Sequence, residues 1–277
     1  MPSRPPRRPA HRFWLPLLRA LRRRRSVIVG YHGVADCDLR RDLSRLQTPP
    51  AQFARHVELL AAAGFRFTTM TAAADDLAAT RPRPGLAVIT FDDGLRNNHS
   101  TALPILDAVG APATVYVASG FIGGVNPWLT TDAGGAMLNE EEIRELARAG
   151  WEIGAHTVDH PDMATLGYAE CRAQIDASRE RLESITEGPV DTFAYPFGRY
   201  GEAAVAAVKD SGMRAALTTG SGRWERFELT RAMVSNGDPY PLVALKMVDG
   251  YEPLLRLPPL RLARQATRTV RDRLRER

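Results

Sequence analysis

The chain has 277 residues, of which 44% are hydrophobic and 25% are charged, so it can bury the core of one enzyme-sized domain. Its two cysteines, Cys37 and Cys171, exclude a disulfide framework and leave at most a single bridge. The roughly eighteen consecutive apolar residues that a membrane-spanning helix needs occur nowhere in the sequence.

Positive charge is concentrated at the two ends of the chain. Residues 1–25 carry nine arginines and no acidic residue, and residues 256–277 carry eight arginines against Asp272 and Glu276. Because the formal net charge is only +5, the residues between the ends carry a net negative charge. We therefore predict a basic N-terminal tail over 1–25, a folded domain over 26–255 and a basic C-terminal helix or tail over 256–277.

The N-terminal segment contains the apolar run Phe13–Leu18, which is flanked by arginines. Such a pattern suits peripheral contact with an anionic membrane, whereas the run is too short and interrupted for a signal peptide and no cleavage site follows. A disordered tail and a degraded secretion signal are the alternatives. We expect a location in the cytoplasm or at the inner face of the membrane. We expect no specific nucleic-acid partner, since the middle of the chain is acidic and no recognition motif occurs.

Strands and helices alternate along the middle of the chain. Apolar runs predict strands over 26–30, 65–69, 86–91, 113–118, 151–155, 192–195, 214–218 and 229–234. Amphipathic segments that end near glycine or small polar residues predict helices over 51–63, 101–109, 140–149, 168–185 and 202–211. Asn139 and Glu142 have the spacing of a capping box at the start of one of these helices. The repeated alternation favours an α/β fold with a mostly parallel sheet that is closed or nearly closed.

Two segments with metal-binding residue types follow predicted strands. Asp92 and Asp93 come directly after the strand that ends at Phe91, where α/β folds place their chemistry. His156 and His160 follow the strand that ends at Ala155. Two imidazoles and one carboxylate form a ligand set with open positions for water and substrate, and the second carboxylate is then free to act as a base. Taken singly, the aspartates could be an ordinary turn and the histidines structural, but their combination favours a metal site.

Three segments of the sequence resemble the motifs of a known family. Residues 90–94 read Thr-Phe-Asp-Asp-Gly, residues 156–160 read His-Thr-Val-Asp-His, and residues 193–198 read Phe-Ala-Tyr-Pro-Phe-Gly. These segments resemble those of the NodB-homology polysaccharide deacetylases (carbohydrate esterase family 4), and the resemblance extends over roughly residues 27–236.

The resemblance implies a fold, a metal ion and a reaction. The fold is a distorted (β/α) barrel, so that residues 26–255 form a polysaccharide deacetylase catalytic domain. A divalent ion is bound by Asp93, His156 and His160, and Asp92 is the catalytic base. These ligands suit zinc, and nickel, cobalt or manganese would also fit them. The implied reaction removes an N-acetyl group from an amino sugar, and the backbone N–H of Phe197 stabilises the oxyanion.

The sequence departs from the commonest family pattern at two positions. Ala194 stands where many members carry an arginine that orients the catalytic aspartate. No histidine follows His160, although many members take their general acid from a later histidine. The Tyr31-His32 segment resembles that of the permuted, poly-N-acetylglucosamine deacetylase-like branch, where such a histidine is the acid. Arg231 resembles the arginine of a Leu-Pro-Arg segment in that branch and could supply the charge missing at Ala194. The alternatives are a structural histidine and a surface ion pair.

The remaining candidates are less specific. Trp128, in a Gly-rich loop on the expected catalytic side, could stack on a sugar ring or pack on its own domain, and Tyr195 is a second candidate for substrate binding. Among the other histidines, His11 lies in the tail, His56 is expected on an exposed helix face, and His99 is at best close to the metal ligands.

The expected partner of the domain is an N-acetylated amino-sugar polymer or a glycolipid. Two alternatives to polysaccharide N-deacetylation stay open. One is a deformylase or deacetylase of a lipid-linked amino sugar, and the other is a non-catalytic carbohydrate-binding homologue.

Overall fold

The computed structural model describes residues 14–38, 42, 45–79, 83–128, 135–219 and 224–247. The strands within these residues are β1 (Val27–Tyr31), β2 (Gly33–Val34), β3 (Gln47–Thr48), β4 (Arg66–Thr68), β5 (Leu86–Phe91), β6 (Thr114–Val117), β7 (Glu152–Ala155), β8 (Thr192–Ala194), β9 (Ala215–Thr219) and β10 (Leu229–Met233). The α-helices are α1 (Leu15–Arg22), α2 (Pro50–Ala63), α3 (Met70–Leu77), α4 (Leu103–Asp107), α5 (Glu140–Arg148), α6 (Tyr168–Thr186), α7 (Glu202–Asp210) and α8 (Tyr240–Met247).

Seven parallel strands close into a barrel in the order β1-β10-β9-β8-β7-β6-β5, and β5 pairs again with β1. Strand β4 pairs with the N-terminal half of β5, whereas β6 pairs with its C-terminal end, so the two share one edge of β5. The expected distorted (β/α) barrel is confirmed. Because every barrel strand runs in the same direction, residues that follow β1, β5 and β7 meet at one mouth of the barrel.

Side chains alternate between two apolar layers along the barrel strands. On β5, Ala87, Ile89 and Phe91 pack outwards with the helices, whereas Leu86 and Val88 belong to the inner cluster. This period of two is the geometry of an extended strand, and burial on both faces explains why five of the six residues are apolar. By the same alternation, side chains at the even-numbered positions after Val88 point towards the barrel axis.

Most predicted elements are present with small shifts at their ends. The capping box of Asn139 and Glu142 is formed, with hydrogen bonds of 2.9 and 3.0 Å in the two directions. The predicted helix over 101–109 begins instead as a π-helical turn, Asn98–Ala102, and continues as α4. Five of these strands and α-helices were not predicted: α1, β2, β3, α3 and α8.

Helix α1 corrects the predicted boundary at residue 25. The side chain of Leu18 is fully buried, Leu21 is 9% exposed, and Trp14 and Leu15 pack against the main core. Residues 14–25 therefore belong to the folded domain and are not a free tail, because their apolar face is covered by protein. Residues 1–13, with His11, and the C-terminal segment 256–277 lie outside the described residues.

Other expectations about single residues were also tested. His56 was expected on an exposed face, but it is 1% exposed and its Nδ1 lies 3.1 Å from the hydroxyl of Tyr31. It lies on the face of α2 that also carries Phe53 and Leu60, which is the buried face. Cys37 and Cys171 are not joined by a disulfide bond. None of the described helices combines the length and the apolar character that crossing a bilayer requires.

Candidate metal and catalytic site

Asp93, His156 and His160 lie together at the C-terminal mouth of the barrel. One ligand atom from each residue falls within 4.8 Å of the other two, and all three side chains are buried. Asp93 Oδ1 lies 3.7 Å from His156 Nε2 and 3.5 Å from His160 Nε2. Among the described residues, this buried oxygen has no hydrogen-bond donor. The three residues therefore fit a divalent ion that would bind between these atoms.

Both histidines are held neutral, as metal ligation requires. Burial lowers the pKa of His156 to about 4 and that of His160 to about 3. His156 Nδ1 lies 2.7 Å from the carbonyl oxygen of Ala194, so Nδ1 carries the proton and Nε2 keeps its lone pair.

Backbone strain is concentrated around the same residues. Six non-glycine residues of the described chain have positive φ, and four of them are Asp93, Thr157, His160 and Phe197. Such conformations cost about 1–3 kcal/mol each and persist where surrounding contacts enforce them. Here the Thr157 hydroxyl accepts the His160 N–H at 3.0 Å, which fixes the turn between the two histidines.

Asp92 forms a buried bidentate ion pair with Arg231. Nη1 and Nη2 of Arg231 donate to the two carboxylate oxygens at 2.6 and 2.7 Å. Burial alone would raise the pKa of Asp92, but the charge of Arg231, followed by His156, lowers it to about 2. Asp92 is therefore ionised and oriented. Arg231 lies where we expected a replacement for the arginine absent at Ala194, and its function stays a prediction.

His32 directly follows β1 at the same mouth of the barrel. It interacts electrostatically with Asp92, His156 and His160. Its backbone carbonyl accepts a hydrogen bond of 2.7 Å from Asn98 Nδ2, a contact that the sequence analysis missed. Strand β1 pairs with β10, which carries Arg231. The structure thus brings His32 to the site, and its role as the acid stays a prediction.

Phe197 lies in a tight turn directly above a metal-ligand candidate. Its φ of 59° is unusual for an aromatic residue, and its ring meets that of His160 edge-on at 4.6 Å. Gly198 follows with φ of 64°, and a Cβ there would lie 2.0 Å from Thr219 Oγ1, so only glycine fits. The turn is therefore sterically fixed, and the oxyanion role of the Phe197 N–H stays a prediction.

Trp128 packs on the metal-ligand candidates, and its role in stacking on a sugar stays a prediction. Its Nε1 donates to Asp93 Oδ2 at 2.9 Å, and its ring stacks on His160 with centroids 4.2 Å apart and an interplanar angle of 14°. Asn126, which we did not predict, donates from Nδ2 to the same oxygen at 3.3 Å. The sequence signal that could have identified Asn126 is the Asn-Pro-Trp segment within a Gly-rich loop. One face of the indole is thus covered by a metal-ligand candidate.

The side chains of two further candidates contact other parts of the protein. Tyr195 is fully buried, its hydroxyl donates to the carbonyl of Phe227 at 3.1 Å, and its ring stacks on Tyr200. The expectation that Tyr195 binds substrate is wrong, because the side chain points into the core. His99 Nε2 lies 2.7 Å from a carboxylate oxygen of Glu145 in a partly exposed pair, so it does not contact the metal ligands.

Comparisons with known proteins agree with this architecture. A family model described as polysaccharide deacetylase matches residues 79–216. The putative polysaccharide deacetylase YxkH of Bacillus subtilis (strain 168) is 27% identical over 217 residues, which are 76% of this chain and 71% of that protein. The poly-beta-1,6-N-acetyl-D-glucosamine N-deacetylase of Staphylococcus aureus (strain MRSA252) is 25% identical over 135 residues, 46% of this chain and 45% of that protein. The structure of IcaB from Ammonifex degensii shares the fold, with a TM-score of 0.68 and 24% identity over 80% of this chain and 97% of that one.

The matched residues include Asp92, Asp93, both metal-ligand histidines and the Phe197 turn. His32, which directly follows β1, and Arg231, which lies on β10, are outside the match, and these two strands pair with each other. The motifs, the barrel and the family match agree, and this chain belongs to the polysaccharide deacetylase family.

Proposed function

We propose that this chain is a metal-dependent hydrolase that removes N-acetyl groups from amino sugars of a polysaccharide or oligosaccharide. Family membership makes it a carbohydrate deacetylase, which is a hydrolase of amide bonds. The observation that carries the proposal for this chain is that two groups of residues lie together at one mouth of the barrel. One is the buried Asp93–His156–His160 cluster, and the other is the ionised, Arg231-bound Asp92.

Asp93, His156 and His160 would hold the ion, which when bound polarises the acetyl carbonyl and lowers the pKa of water. Asp92 takes a proton from the attacking water, whose oxygen adds to the carbonyl carbon. The Phe197 N–H donates to the oxyanion that develops. His32 gives a proton to the amide nitrogen as the C–N bond breaks, which releases acetate and a free amine. Arg231 keeps Asp92 ionised and correctly oriented until Asp92 accepts the proton from water.

We propose zinc as the resident ion. Two neutral imidazole nitrogens and one carboxylate oxygen are a common zinc set, and they leave positions open for water and substrate. Nickel, cobalt and manganese accept the same donors, so metal analysis of protein purified without added metal decides between them.

We propose an N-acetylated polymer, similar to poly-N-acetylglucosamine, as the substrate class. Support comes from His32 and Arg231, which follow the pattern of the permuted branch, and from the Staphylococcus aureus relative, which is named for that polymer. A lipid-linked amino sugar is the second candidate. It would use the same residues, although the basic end of the barrel described next would hold the catalytic mouth away from a lipid in the same membrane.

Exposed arginines cluster at the end of the barrel opposite the catalytic mouth. They precede or begin strands: Arg23, Arg24, Arg25, Arg66 and Arg83. Their proximity follows from Gly85, whose N–H donates to the Arg25 carbonyl and whose carbonyl accepts the Arg66 N–H. Within the described part of the chain, Arg83 pairs with Asp76, whereas Arg23, Arg24 and Arg66 form no ion pair.

We propose that this basic end binds an anionic membrane and directs the catalytic mouth away from it. Each arginine near such a surface contributes about 1 kcal/mol. Replacing Arg23, Arg24 and Arg66 with glutamine should weaken sedimentation with acidic vesicles and leave hydrolysis of a soluble substrate intact. Equal binding to neutral and acidic vesicles at low salt would contradict this. Deleting residues 1–25 is unsuitable because it removes the buried Leu18. The inner face of the membrane stays a prediction.

Acetate release from soluble and lipid-linked N-acetylated sugars, with and without chelator, tests the proposed reaction. His156→Ala should abolish both metal retention and acetate release. His99→Ala is the matched control, because His99 pairs with Glu145 outside the site. Full activity of rigorously metal-free protein would refute the proposal, as would acetate release by His156→Ala at the wild-type rate.

A further inference from the structure

Two N–H donors occupy one oxygen of the metal-ligand candidate Asp93. Oδ2 accepts from Trp128 Nε1 at 2.9 Å and from Asn126 Nδ2 at 3.3 Å. Oδ1 faces the two histidines and receives no hydrogen bond from the described residues. The carboxylate is thus divided into one protein-bound oxygen and one oxygen that is available to an ion.

Hydrogen bonds within the loop that carries these donors bring both side chains to Asp93. Asn126 Oδ1 accepts the backbone N–H of Trp128 at 3.0 Å, which turns the chain so that both side chains reach Asp93. The loop stem pairs as a short antiparallel ribbon through Val125 and Ala136. The N–H of Leu138 then donates to the carbonyl of Gly94, next to Asp93, at 2.9 Å. The loop is therefore tied to the Asp-Asp-Gly turn by backbone and side chain.

The indole also fixes the second ligand candidate. Its ring lies nearly parallel to the His160 imidazole, and its edge contact with Phe121 holds it from another direction, with centroids 5.0 Å apart. Phe197 meets His160 edge-on, so the imidazole lies between two aromatic rings. Packing of this kind restricts the imidazole to the orientation in which Nε2 faces Asp93 Oδ1.

We propose that Asn126 and Trp128 are positioning residues for the metal ion, which force Asp93 to coordinate through Oδ1 alone and lock His160 in its binding orientation. This inference rests on the proposed metal site. A carboxylate bound by one oxygen leaves coordination positions for water and the acetyl carbonyl, whereas a carboxylate bound by both would fill one of them. Outer hydrogen-bond partners of metal ligands typically change metal affinity by about 10–100-fold when they are removed.

This role differs in its measurable effects from the sugar-stacking role. A residue that only stacks on a sugar changes KM and leaves metal affinity intact. A positioning residue changes metal affinity in the absence of any sugar. The discriminating measurement is therefore made on the protein and the ion alone.

The experiment uses the full chain, stripped of metal and titrated with Zn²⁺ against a chromophoric chelator. Trp128→Phe keeps an aromatic ring and removes the N–H donor, and Asn126→Ala removes the second donor. Each should raise the Kd for Zn²⁺ about 10–100-fold. Trp224→Phe is the matched control, because it removes an indole hydrogen bond of 2.7 Å, to Leu77, far from the site. Its Kd should equal the wild-type value.

Cobalt gives an independent signature. Paramagnetic Co²⁺ bound between these ligands should quench the emission of Trp128, one of four tryptophans in the chain. The quenched fraction should disappear in Trp128→Phe and persist in Trp224→Phe. The visible absorption of bound Co²⁺ should also change in Asn126→Ala, since freeing Oδ2 alters the coordination.

Wild-type Zn²⁺ affinity in both Trp128→Phe and Asn126→Ala would overturn the inference and leave the proposed function standing. Wild-type affinity in His156→Ala would instead overturn the metal site itself. Thermal unfolding of the metal-free variants is measured alongside. Asn126→Ala leaves the ring packing untouched. If the Kd for Zn²⁺ rises only in Trp128→Phe and that variant is also less stable than wild type, the result likewise counts against the inference.

Discussion

Replacing Arg231 with methionine tests whether the buried ion pair on the barrel axis controls the catalytic carboxylate. Arg231 is fully buried, the Asp92 side chain is 5% exposed, and two hydrogen bonds of 2.6 and 2.7 Å join them. Methionine fills similar space without a charge, so Asp92 stays desolvated but loses its cation. The pKa of Asp92 should then rise from its present value of about 2.

The size of the expected loss of stability can be calculated in two ways. A pKa lowered from 3.8 to about 2 corresponds to about 2.5 kcal/mol of folding free energy, which is fully present above pH 3.8 and is lost as the pH falls through about 2. Removing one partner of a buried ion pair generally lowers the free energy of unfolding by about 3–5 kcal/mol. At about 2–4 °C per kcal/mol for a domain of this size, Tm at pH 7 should fall by about 6–20 °C.

The assay compares thermal unfolding of metal-free wild type, Arg231→Met and a control, Arg214→Met. Arg214 pairs with Asp75 in solvent, with side chains 41% and 69% exposed, so the control should lose far less stability. Turnover of Arg231→Met should fall by about 10²-fold, because the base is no longer held in position. A Tm within 2 °C of wild type, together with normal turnover, would refute the reasoning.

Three further predictions concern single side chains. Asp92→Asn should bind metal nearly normally yet lose several orders of magnitude in turnover, and parallel loss of metal and activity would mean that the two aspartates have been assigned the wrong way round. His32→Ala should lose about 10²–10⁴-fold in turnover on an amide and less on an activated aryl acetate, whose leaving group needs no proton; near-full activity on the amide would exclude His32 as the acid. Burial lowers the pKa of His56 from 6.5 to about 4, so the unfolded chain binds a proton before the folded one and stability falls as the pH drops from 6.5 to about 4. His56→Gln should remove up to about 3 kcal/mol of that fall in urea titrations at pH 7 and 4.5, and an unchanged pH dependence would contradict this.

The barrel and its motif residues were predictable because their signals are local. Strand β5 was predicted with the bounds that the structure shows, since five of its six residues are apolar and the strand ends at a polar pair. The alternation of side chains then accounts for the separate roles of that pair. Asp92 continues the inward series and meets Arg231, whereas Asp93 turns towards the histidines.

The elements that were missed depend on contacts between distant segments. Helix α1 has a proline in its first turn and three arginines directly beyond its end, so its sequence resembles a tail. Only the packing of Leu18 and Leu21 against the core reveals its role. Helix α3 had an available signal, because Thr69 accepts a hydrogen bond from the N–H of Ala72 as an N-cap. The contact of Trp128 with Asp93 depends on pairing of the loop stem through Val125 and Ala136, which the Asn-Pro-Trp sequence alone does not specify.

Closure of the barrel has a consequence for when the enzyme becomes competent. His32 follows β1 and Arg231 lies on β10, and these two strands are neighbours at the seam of the ring. During synthesis the metal ligands and Asp92 emerge well before Arg231, so the buried carboxylate gains its counter-charge only when the last strand docks. A partly made chain would hold Asp92 in a site without its cation and with an open seam. Activity therefore depends on completion of the ring, and a chain cut before β10 should neither hold a stable barrel nor release acetate.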